Sequence, residues 1–303
     1  MRIILSRKGF DSSAGGCPNP ILPDGRLLPL PIPDDTSIIR YQDLDFENLN
    51  IGTLVKQLTM GKIKPRHGAH LDPDMFSAML VRNNVNNSQW QANLGQAASA
   101  QGHLQKQGVQ VGDIFLFFAV SQPIEKVGRA WQFIKGTKPR HIIWGYLQIG
   151  EILKLDDIRD IQQYQWLSYH PHWQYSQDAL NTLYLAKQHL NLEPFVSKVN
   201  KRNPLSGAGV FPYIHKDLTL SVGKNLTEWQ VPSWMYPFTD DTQTKNRPPL
   251  SYHTKPWRWQ LEDNQCFLKA AARGQEFVLQ NDYAHDAIPW LYDLFHQHTG
   301  TVE

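Results

Sequence analysis

Two cations, a carboxylate and a hydroxyl follow the first apolar run of the chain. They are Arg7, Lys8, Asp11 and Ser12, within the stretch SRKGFDSS. Side chains of these types could hold an anionic group and orient a nucleophile or a water molecule. A phosphate-binding P-loop would need the pattern GxxxxGK[ST] leading into a helix, and the prolines of residues 18–33 block such a helix. An anion-binding loop and an ion-paired turn both remain open.

A second group of functional side chains precedes an apolar run towards the C-terminal end. Arg273, Gln275 and Glu276 lie in the stretch AARGQEFV, just before a strand predicted at 277–279. Arginine can bind an anion with two hydrogen bonds, glutamine can read an amide or adenine edge, and glutamate can transfer a proton. A structural use of all three is possible, but packing alone does not require this combination.

A histidine- and aspartate-rich stretch offers metal ligands. Four of them fall within eight residues, as His67, His70, Asp72 and Asp74. Imidazole and carboxylate together suit zinc, manganese or iron. All four would come from one strip of chain, however, and the segment Asp72-Pro73-Asp74 is also a natural helix N-cap. We therefore assign no metal and keep a metal site as an alternative.

Two aromatic stretches could contact bases. The sequence YHPHW contains His170, which could act as a general base or bind phosphate, or could belong to a surface turn. The sequence KPWRW interleaves cations with aromatic rings, a combination that suits single-stranded or flipped bases. Trp257 of this stretch could position a base, or could bury one face of a strand.

The elements that must position these residues form a mixed pattern. Strands are predicted at 2–5, 36–41, 113–120, 141–153 and 277–279, and helices at 54–60, 93–107, 178–190 and 286–298. Gly145 and Gly150 indicate bends or bulges in the long strand at 141–153. The pattern predicts an irregular α+β protein with a bent-strand β-barrel or half-barrel, surrounded by helices and long ordered loops.

The length allows one elaborated domain or two. At about 150 residues per domain, a chain of 303 residues could be divided once. We expect a single domain over residues 1–303, with residues 108–155 as the β-barrel core segment. Two tightly packed subdomains, 1–200 and 201–303, are the alternative.

Composition indicates a folded protein of balanced charge. Hydrophobic residues make up 41% and charged residues 19%, and the formal net charge is +2, so nucleic-acid binding cannot be argued from global charge. The first apolar run is too short for a signal peptide, and later runs are too short to span a bilayer. The two cysteines have no CxxC partners, which excludes a zinc ribbon. These features predict a soluble, cytoplasmic protein without membrane contact.

Eight motifs spread over nearly the whole chain carry a resemblance to a known family. They are ILSRKGFDSSAGG, HLDPD, GDIFLFF, HIIWGYLQIGEI, HPHW, SGAGVF, LSYH and RGQEFVL. Together they resemble the bacterial and phage family called nucleotide modification associated domain, type three. The resemblance implies a role in making, processing or recognising modified nucleotides in a DNA-modification, phage–host context. The positions inside matching motifs are Arg7, Lys8, Asp11, Ser12, Asp72, His170, Arg273, Gln275 and Glu276.

The middle of the chain is similar to barrels of the PUA and EVE type. A Gly-Asp turn at 112–113 opens a strand, and the sequence IIWGYLQIGEI at 142–152 matches a later strand of such barrels. This similarity implies a PUA-like barrel that binds RNA or modified DNA bases.

These observations favour an enzyme that acts on nucleotides or nucleic-acid bases by hydrolysis or group transfer. Arg7, Lys8 and Arg273 would hold phosphate, while Asp11, Glu276 or His170 would transfer a proton. Ser12, Asp72, Gln275 and Trp257 would bind the substrate. No cofactor is expected, since neither reaction needs one, and the expected partner is a nucleotide or DNA, including modified or single-stranded DNA.

Two alternatives remain, and the enzyme hypothesis depends on one geometric expectation. The alternatives are a non-catalytic reader of modified bases with a PUA/EVE-like barrel, and a metal-dependent nuclease that uses the four ligands at 67–74. We expect Arg7, Lys8 and Asp11 to face Arg273 and Glu276 across one cleft.

Overall fold

The computed structural model describes residues 1–81, 89–174, 178–192, 205–239, 246–272, 274 and 276–299. These residues form a mixed α and β structure around one large sheet, which confirms the predicted mixed class. The strands are β1 (Ile3–Arg7), β2 (Asn19–Ile21), β3 (Ile32–Pro33), β4 (Asp45–Phe46), β5 (Leu49–Asn50), β6 (Ala69–His70), β7 (Asn93–Gln96), β8 (Ile114–Val127), β9 (Ala130–Phe133), β10 (Arg140–Lys154), β11 (Thr182–Ala186), β12 (Ala208–Val210), β13 (Glu228–Val231), β14 (Trp259–Glu262), β15 (Gln265–Lys269) and β16 (Glu276–Leu279). The α-helices are α1 (Ile51–Leu58), α2 (Ala98–Lys106), α3 (Leu155–Ile158) and α4 (Ala284–His298). None of the described helices is long and apolar enough to cross a membrane.

Nine strands form the large sheet, and the two central ones are the longest. From end to end the order is β16–β1–β8–β10–β11–β7, with β12 paired to β10 and with β2 and β9 paired to β8. Strands β1 and β2 run parallel to β8, and the other neighbours are antiparallel. Because β8 has 14 residues and β10 has 15, these two strands connect both halves of the sheet.

The centre of the sheet is covered on both faces. The first eight residues of β8, IFLFFAVS, are all buried, and a continuous apolar run is what a strand covered on both faces requires. Helix α4 packs against β10, where the rings of Phe295 and Tyr146 stack with centroids 4.1 Å apart. A separate apolar cluster, to which α1 contributes Leu54 and Val55, is built largely from residues 10–80.

The glycines of β10 coincide with irregularities in strand pairing, as predicted. The register against β8 shifts between Ile143 and Gly145, and the register against β11 shifts around Gly150. A side chain at Gly150 would place its Cβ 2.8 Å from the backbone nitrogen of Lys187. Glycine therefore allows close approach of the next strand at this bulge.

Three predicted elements differ in the structure. The helix predicted at 178–190 is wrong, because this segment contains β11, whose first four residues are buried. The helix predicted at 93–107 begins only at Ala98, and its first residues form β7. The predicted strand at 36–41 is wrong as well, since these residues form a loop that leads into the 3-10 helix Tyr41–Asp43.

The predicted PUA-like barrel is not confirmed. The described strands follow an open path from β16 to β7 and do not close. Segment 108–155, predicted as the barrel core, instead supplies the two central strands of the sheet. The two end strands nevertheless meet through side chains, because Gln96 at the end of β7 donates a hydrogen bond to Glu276 at the start of β16. The single-domain organisation stays a prediction.

Candidate functional site

A cavity of about 630 Å³ lies where the two ends of the sheet meet. Its walls come from separate segments of the chain. These are residues 7–9, 11, 13 and 14 at the end of β1 and in the loop after it, residues 32–34, His70 and Asp72 at the end of β6, residues 95–100 where β7 passes into α2, His172, and Ala272 and Gly274 before β16. Sites for small molecules typically enclose about 300–1,000 Å³, so the cavity has the size that a nucleotide needs.

The loop that follows β1 is held by one buried asparagine. Asn19 Oδ1 accepts a hydrogen bond from the Phe10 amide at 3.0 Å, and its Nδ2 donates to the carbonyl oxygens of Phe10 and Val120 at 2.9 and 2.8 Å. Gly9 has a φ of +112°, and a Cβ at this position would lie 2.7 Å from Asn19 Oδ1. Only glycine fits this turn, which follows Lys8 directly at the edge of the cavity.

Lys8 lies between two buried carboxyl groups. Its Nζ is 3.8 Å from Asp72 Oδ2 and 3.6 Å from Glu276 Oε1, and the three side chains are 9%, 3% and 1% exposed. Burial alone would raise the pKa of Asp72, but the Lys8 charge and the nearby His170 outweigh burial and hold that pKa well below its usual range. Asp72 is therefore an ionised carboxylate in the cavity wall.

Glu276 behaves differently from Asp72, although it contacts the same lysine. Burial raises the pKa of Glu276, and the Lys8 charge and the hydrogen bonds to its Oε1 only partly offset this. Ser6 Oγ donates to Oε1 at 3.1 Å. Its second oxygen, Oε2, is buried and has no hydrogen-bond partner within the described part of the chain. Glu276 lies behind the cavity wall, where it contacts Lys8 and Gln96, which both line the cavity.

Three histidines surround Asp72. His172 Nδ1 lies 2.8 Å from Asn181 Oδ1, and burial lowers the pKa of His172 to about 4. His70 Nδ1 lies 2.8 Å from Asp34 Oδ2, and this hydrogen bond holds the pKa of Asp34 well below its usual range despite partial burial. His170 is fully buried, and its Nδ1 accepts a hydrogen bond from the His172 amide at 3.2 Å.

Arg7 presents hydrogen-bond donors that the described residues leave unused. Its Nη1 donates to the Ala272 carbonyl oxygen at 3.2 Å, and its guanidinium lies over the Phe118 ring, 5.7 Å from the centroid. Its Nε and Nη2 are buried and have no partner among the described residues. Burial lowers the pKa of Arg7. An anion at this end of β1 would satisfy both donors.

The residues predicted for the site are only partly brought together. Arg7, Lys8, Asp11 and Asp72 line the cavity, and His170 and Glu276 contact its lining from behind. Asp11 Oδ1 also accepts hydrogen bonds from the amides of Ser13 and Ala14, which close its own turn. Ser12 is exposed, and neither it nor Trp257 is among the residues of the wall. Arg273 and Gln275 lie outside the described residues.

Residues 7 and 8 lie next to Ala272 and Glu276 rather than across a cleft from them. Strands β1 and β16 pair directly, with Ser6 opposite Glu276. Arg7 and Lys8 continue β1 beyond this pair, so their side chains reach Ala272 and Glu276 without a gap between them. The wall that faces these residues comes instead from His70, Asp72, residues 95–100 and His172.

The four predicted metal ligands at 67–74 do not form one site: His67 and Asp74 each have other partners, and only His70 and Asp72 lie together. His67 Nδ1 accepts a hydrogen bond from the Lys64 amide at 3.4 Å. Asp74 Oδ2 accepts from Trp90 Nε1 at 3.0 Å and from the Tyr169 hydroxyl at 2.5 Å. His70 and Asp72 instead share their surroundings with a histidine a hundred positions further along, His172.

Some residues of the site escaped the sequence analysis. Gln96, Asn181 and Asp34 are single polar residues in ordinary surroundings, with no motif that marks them. His172 carried a signal, because it stands two residues after His170 in the stretch YHPHW. The sequence could not show which of these two histidines reaches the cavity.

The fold and the site together define a mixed α/β protein in which both ends of a sheet enclose a charged centre beside a nucleotide-sized cavity. The chain belongs to the family of nucleotide modification associated domain 3, whose model matches residues 2–280. This range contains every site residue described above, and the match confirms the resemblance carried by the motifs. The family name places the chain in a nucleotide-modification context. No curated protein and no solved structure gives a significant match.

Proposed function

We propose that this protein is an enzyme that binds a nucleotide, or one nucleotide unit of DNA, in the cavity. There it hydrolyses a bond of this substrate or transfers a group to or from it. The observation that carries the proposal is that a single cavity combines an arginine with unused buried donors and a lysine held between two carboxyl groups. The first feature fits an anionic group, and the second fits proton transfer.

Phosphate would bind between Arg7 and the start of α2. The guanidinium has two unused donors, Nε and Nη2, whose spacing matches two phosphate oxygens. Residues 97–100 at the N-terminus of α2 line the same cavity. The Ala98 amide already donates to Asp178 Oδ2 at 2.6 Å, so the amides of Ser99 and Ala100 are the ones that would meet the phosphate. Helix N-termini favour anions because their amides point outwards along the helix dipole. Arg273 remains a proposed third phosphate ligand on the strength of the family motif.

The three residues predicted to transfer protons have unequal support. Glu276 has the strongest, because its raised pKa keeps a proton available and Lys8, 3.6 Å away, connects it to the cavity. His170 supports Asp72 from behind and does not line the cavity. Asp11 lines the cavity, but its hydrogen bonds to the next turn indicate a structural role as well.

The test compares Glu276→Gln with the wild-type protein on a substrate panel. The panel contains nucleoside mono- and triphosphates, and single- and double-stranded DNA with and without 5-substituted cytosines; products are identified by mass spectrometry. We expect Glu276→Gln to lower turnover by about 10²–10⁴-fold, as loss of a positioned acid or base does. Glu151→Gln, at an exposed position of β10, is the matched control and should retain full turnover. Turnover that is unchanged in folded Glu276→Gln would contradict the assignment.

A non-catalytic reader of modified bases is the second candidate, and Trp257 favours it. This side chain is 63% exposed, and Arg258 and Lys269 place their charges 4.6 and 5.5 Å from its ring centroid. An exposed ring flanked by cations suits a stacked base next to phosphates. If the wild-type protein converts nothing on the panel but prefers modified DNA, and Trp257→Ala but not Glu276→Gln abolishes that preference, the protein is a reader.

A further inference from the structure

Three donor atoms converge at the cavity wall: Nε2 of His70, Oδ2 of Asp72 and Nε2 of His172. The two nitrogens lie 3.9 and 3.8 Å from the Asp72 oxygen, and ligand atoms of the three residues all lie within 4.8 Å of one another. Donors around a tetrahedral ion with bonds of about 2.1 Å lie about 3.4 Å apart. Side-chain shifts of well under 1 Å towards a common centre would therefore bring the Asp72 oxygen and each nitrogen to ligating distance.

Asn181 determines which nitrogen of His172 carries the proton. Asn181 Nδ2 donates to the His172 carbonyl oxygen at 2.8 Å, so the amide oxygen must be the atom that faces His172 Nδ1, also at 2.8 Å. Nδ1 of the neutral ring is then a donor. The lone pair of His172 consequently lies on Nε2, the nitrogen directed at Asp72.

Asp34 determines in the same way which nitrogen of the His70 ring carries the proton. Its Oδ2 accepts from His70 Nδ1 at 2.8 Å, while its Oδ1 accepts from the amide and the hydroxyl of Thr36 at 2.9 and 2.6 Å. The carboxylate is thereby fixed, and the lone pair of the neutral His70 ring lies on Nε2. A carboxylate or amide behind the ring is the arrangement that orients histidines which bind metal ions.

The other oxygen of Asp72 is already engaged. The Gly95 amide donates to Oδ1 at 2.5 Å, and His170 Nε2 lies 3.5 Å from the same oxygen. Because His170 Nδ1 accepts from the His172 amide, its Nε2 carries the proton and points at the carboxylate. Asp72 is therefore held with Oδ2 towards the two lone pairs.

We propose that His70, Asp72 and His172 bind one divalent transition-metal ion, Zn²⁺ or Fe²⁺, in the cavity wall. Two imidazole nitrogens and one carboxylate oxygen suit these ions, whereas Mg²⁺ favours oxygen ligands. The two carboxylates next to the three donor atoms, Asp34 and Asp72, outnumber the ammonium group of Lys8, so these three side chains together carry a negative charge that would attract a cation. Three protein ligands leave positions for water or for an oxygen of a cavity ligand. The site shares the cavity of the proposed enzyme, and its test needs no substrate.

The test titrates the full-length protein with metal ions. Protein stripped with EDTA is titrated with Zn²⁺, with Fe²⁺ under anaerobic conditions and with Mg²⁺ in separate calorimetric experiments. We expect one ion of Zn²⁺ or Fe²⁺ per chain, with a dissociation constant of about 1 μM or below. We expect no comparable Mg²⁺ binding. His172→Gln and His70→Gln should each weaken the affinity by 100-fold or more, a threshold on the order of what a lost ligand costs. Asp34→Asn should weaken it by about 10–100-fold, the usual effect of a residue behind a ligand.

Two control variants exclude other histidines. His67→Gln alters the same chain segment, but it should leave affinity and stoichiometry unchanged. His215→Gln removes part of a second donor group near the surface, formed with Asp217 and His298, and it should also have no effect.

The inference is overturned if the folded wild-type protein binds none of these ions more tightly than about 1 mM. It is also overturned if the ion is lost only in His215→Gln, or if His70→Gln binds as tightly as the wild type. Should His172→Gln not fold, His70→Gln and the two controls still decide the outcome. Because only ion binding is measured, the metal-site proposal can be refuted while the proposed enzymatic activity is upheld. The activity can likewise be refuted while the metal site is upheld.

Discussion

Replacement of Lys8 by methionine tests the charge balance of the site directly. Lys8 Nζ lies 3.6 Å from a carboxyl oxygen of Glu276 and 3.8 Å from one of Asp72, and all three side chains are nearly inaccessible to water. At an effective dielectric constant of about 20, the attraction between Lys8 and the ionised Asp72 is worth about 4 kcal/mol before desolvation. Methionine fills the same space without charge, so Asp72 would remain buried without its cation. We expect Lys8→Met to lower the free energy of unfolding by about 3–5 kcal/mol, the usual cost of removing one partner of a buried pair.

The assay is urea unfolding followed by tryptophan fluorescence at pH 7 in EDTA, with the slope of the free energy against urea compared between variants. Lys62→Met, at an exposed position, is the control and should stay within about 0.5 kcal/mol of the wild type. The double variant Lys8→Met/Glu276→Gln should be more stable than Lys8→Met alone, because glutamine, unlike Glu276, cannot ionise beside Asp72 once the ammonium group is gone. A loss below about 1 kcal/mol in Lys8→Met, with an unchanged slope, would show that water reaches this cluster and would refute the reasoning.

Two further predictions concern a buried histidine and a glycine. Burial lowers the pKa of His253 from 6.5 to about 4, and its Nε2 accepts a hydrogen bond from the Ala271 amide. The unfolded chain therefore binds the proton more readily, so stability is full above pH 6.5 and falls as the pH drops towards 4. At pH 5.5 this loss is about 1.4 kcal/mol. The drop in the free energy of unfolding between pH 7.5 and pH 5.5, measured with urea, should therefore be smaller by that amount in His253→Gln than in the wild type. Gly95→Ala would place a methyl group 2.2 Å from the ring of His172, so calorimetry should show weakened Zn²⁺ binding and unfolding should show a loss of about 1–3 kcal/mol. In contrast, Gly102→Ala on α2 meets only ordinary contacts at 3.6 Å. It should leave Zn²⁺ binding unchanged and raise the free energy of unfolding by about 0.5–1 kcal/mol, the usual gain for alanine inside a helix. Normal Zn²⁺ binding by Gly95→Ala would contradict the proposed position of that ring.

Long apolar strands were the part of the fold that the sequence revealed. Strand β10 and the first half of β8 are apolar runs that are too rich in β-branched and aromatic residues for a loop. The bounds of β10 were predicted to within one residue, and β8 was predicted at its start, but it continues to Val127, well beyond the predicted end at residue 120. Strand β11, in contrast, was mistaken for part of an amphipathic helix. Its sequence TLYLA is short and buried, and in such a run apolar periodicity does not distinguish a strand from a helix.

The hydrogen bond that joins the two end strands of this open sheet could not be predicted from local patterns. Nothing in the sequence around Gln96 or Glu276 indicates that Gln96, the last residue of β7, donates a hydrogen bond to Glu276, the first residue of β16. The proximity of β1 and β16 could be expected from the sequence, because functional residues directly follow the first predicted strand and directly precede the last one. The contribution of β7 could not, since residues 93–96 were assigned to a helix.

The linear metal motif at 67–74 shows why a site of this kind escapes sequence analysis. In extended chain, residues two apart share a face, so His70 and Asp72 can point together while Leu71 between them turns into the second apolar cluster. The same alternation would put His67 on the opposite face. Asp74 has the same parity as His70 and Asp72, but its carboxylate accepts hydrogen bonds from Trp90 and Tyr169 instead. A segment of this form can supply two ligands, and a third must come from a distant part of the chain. In the proposed site that third ligand is His172, which lies a hundred residues beyond Asp72 in the sequence and places its Nε2 3.8 Å from Asp72 Oδ2.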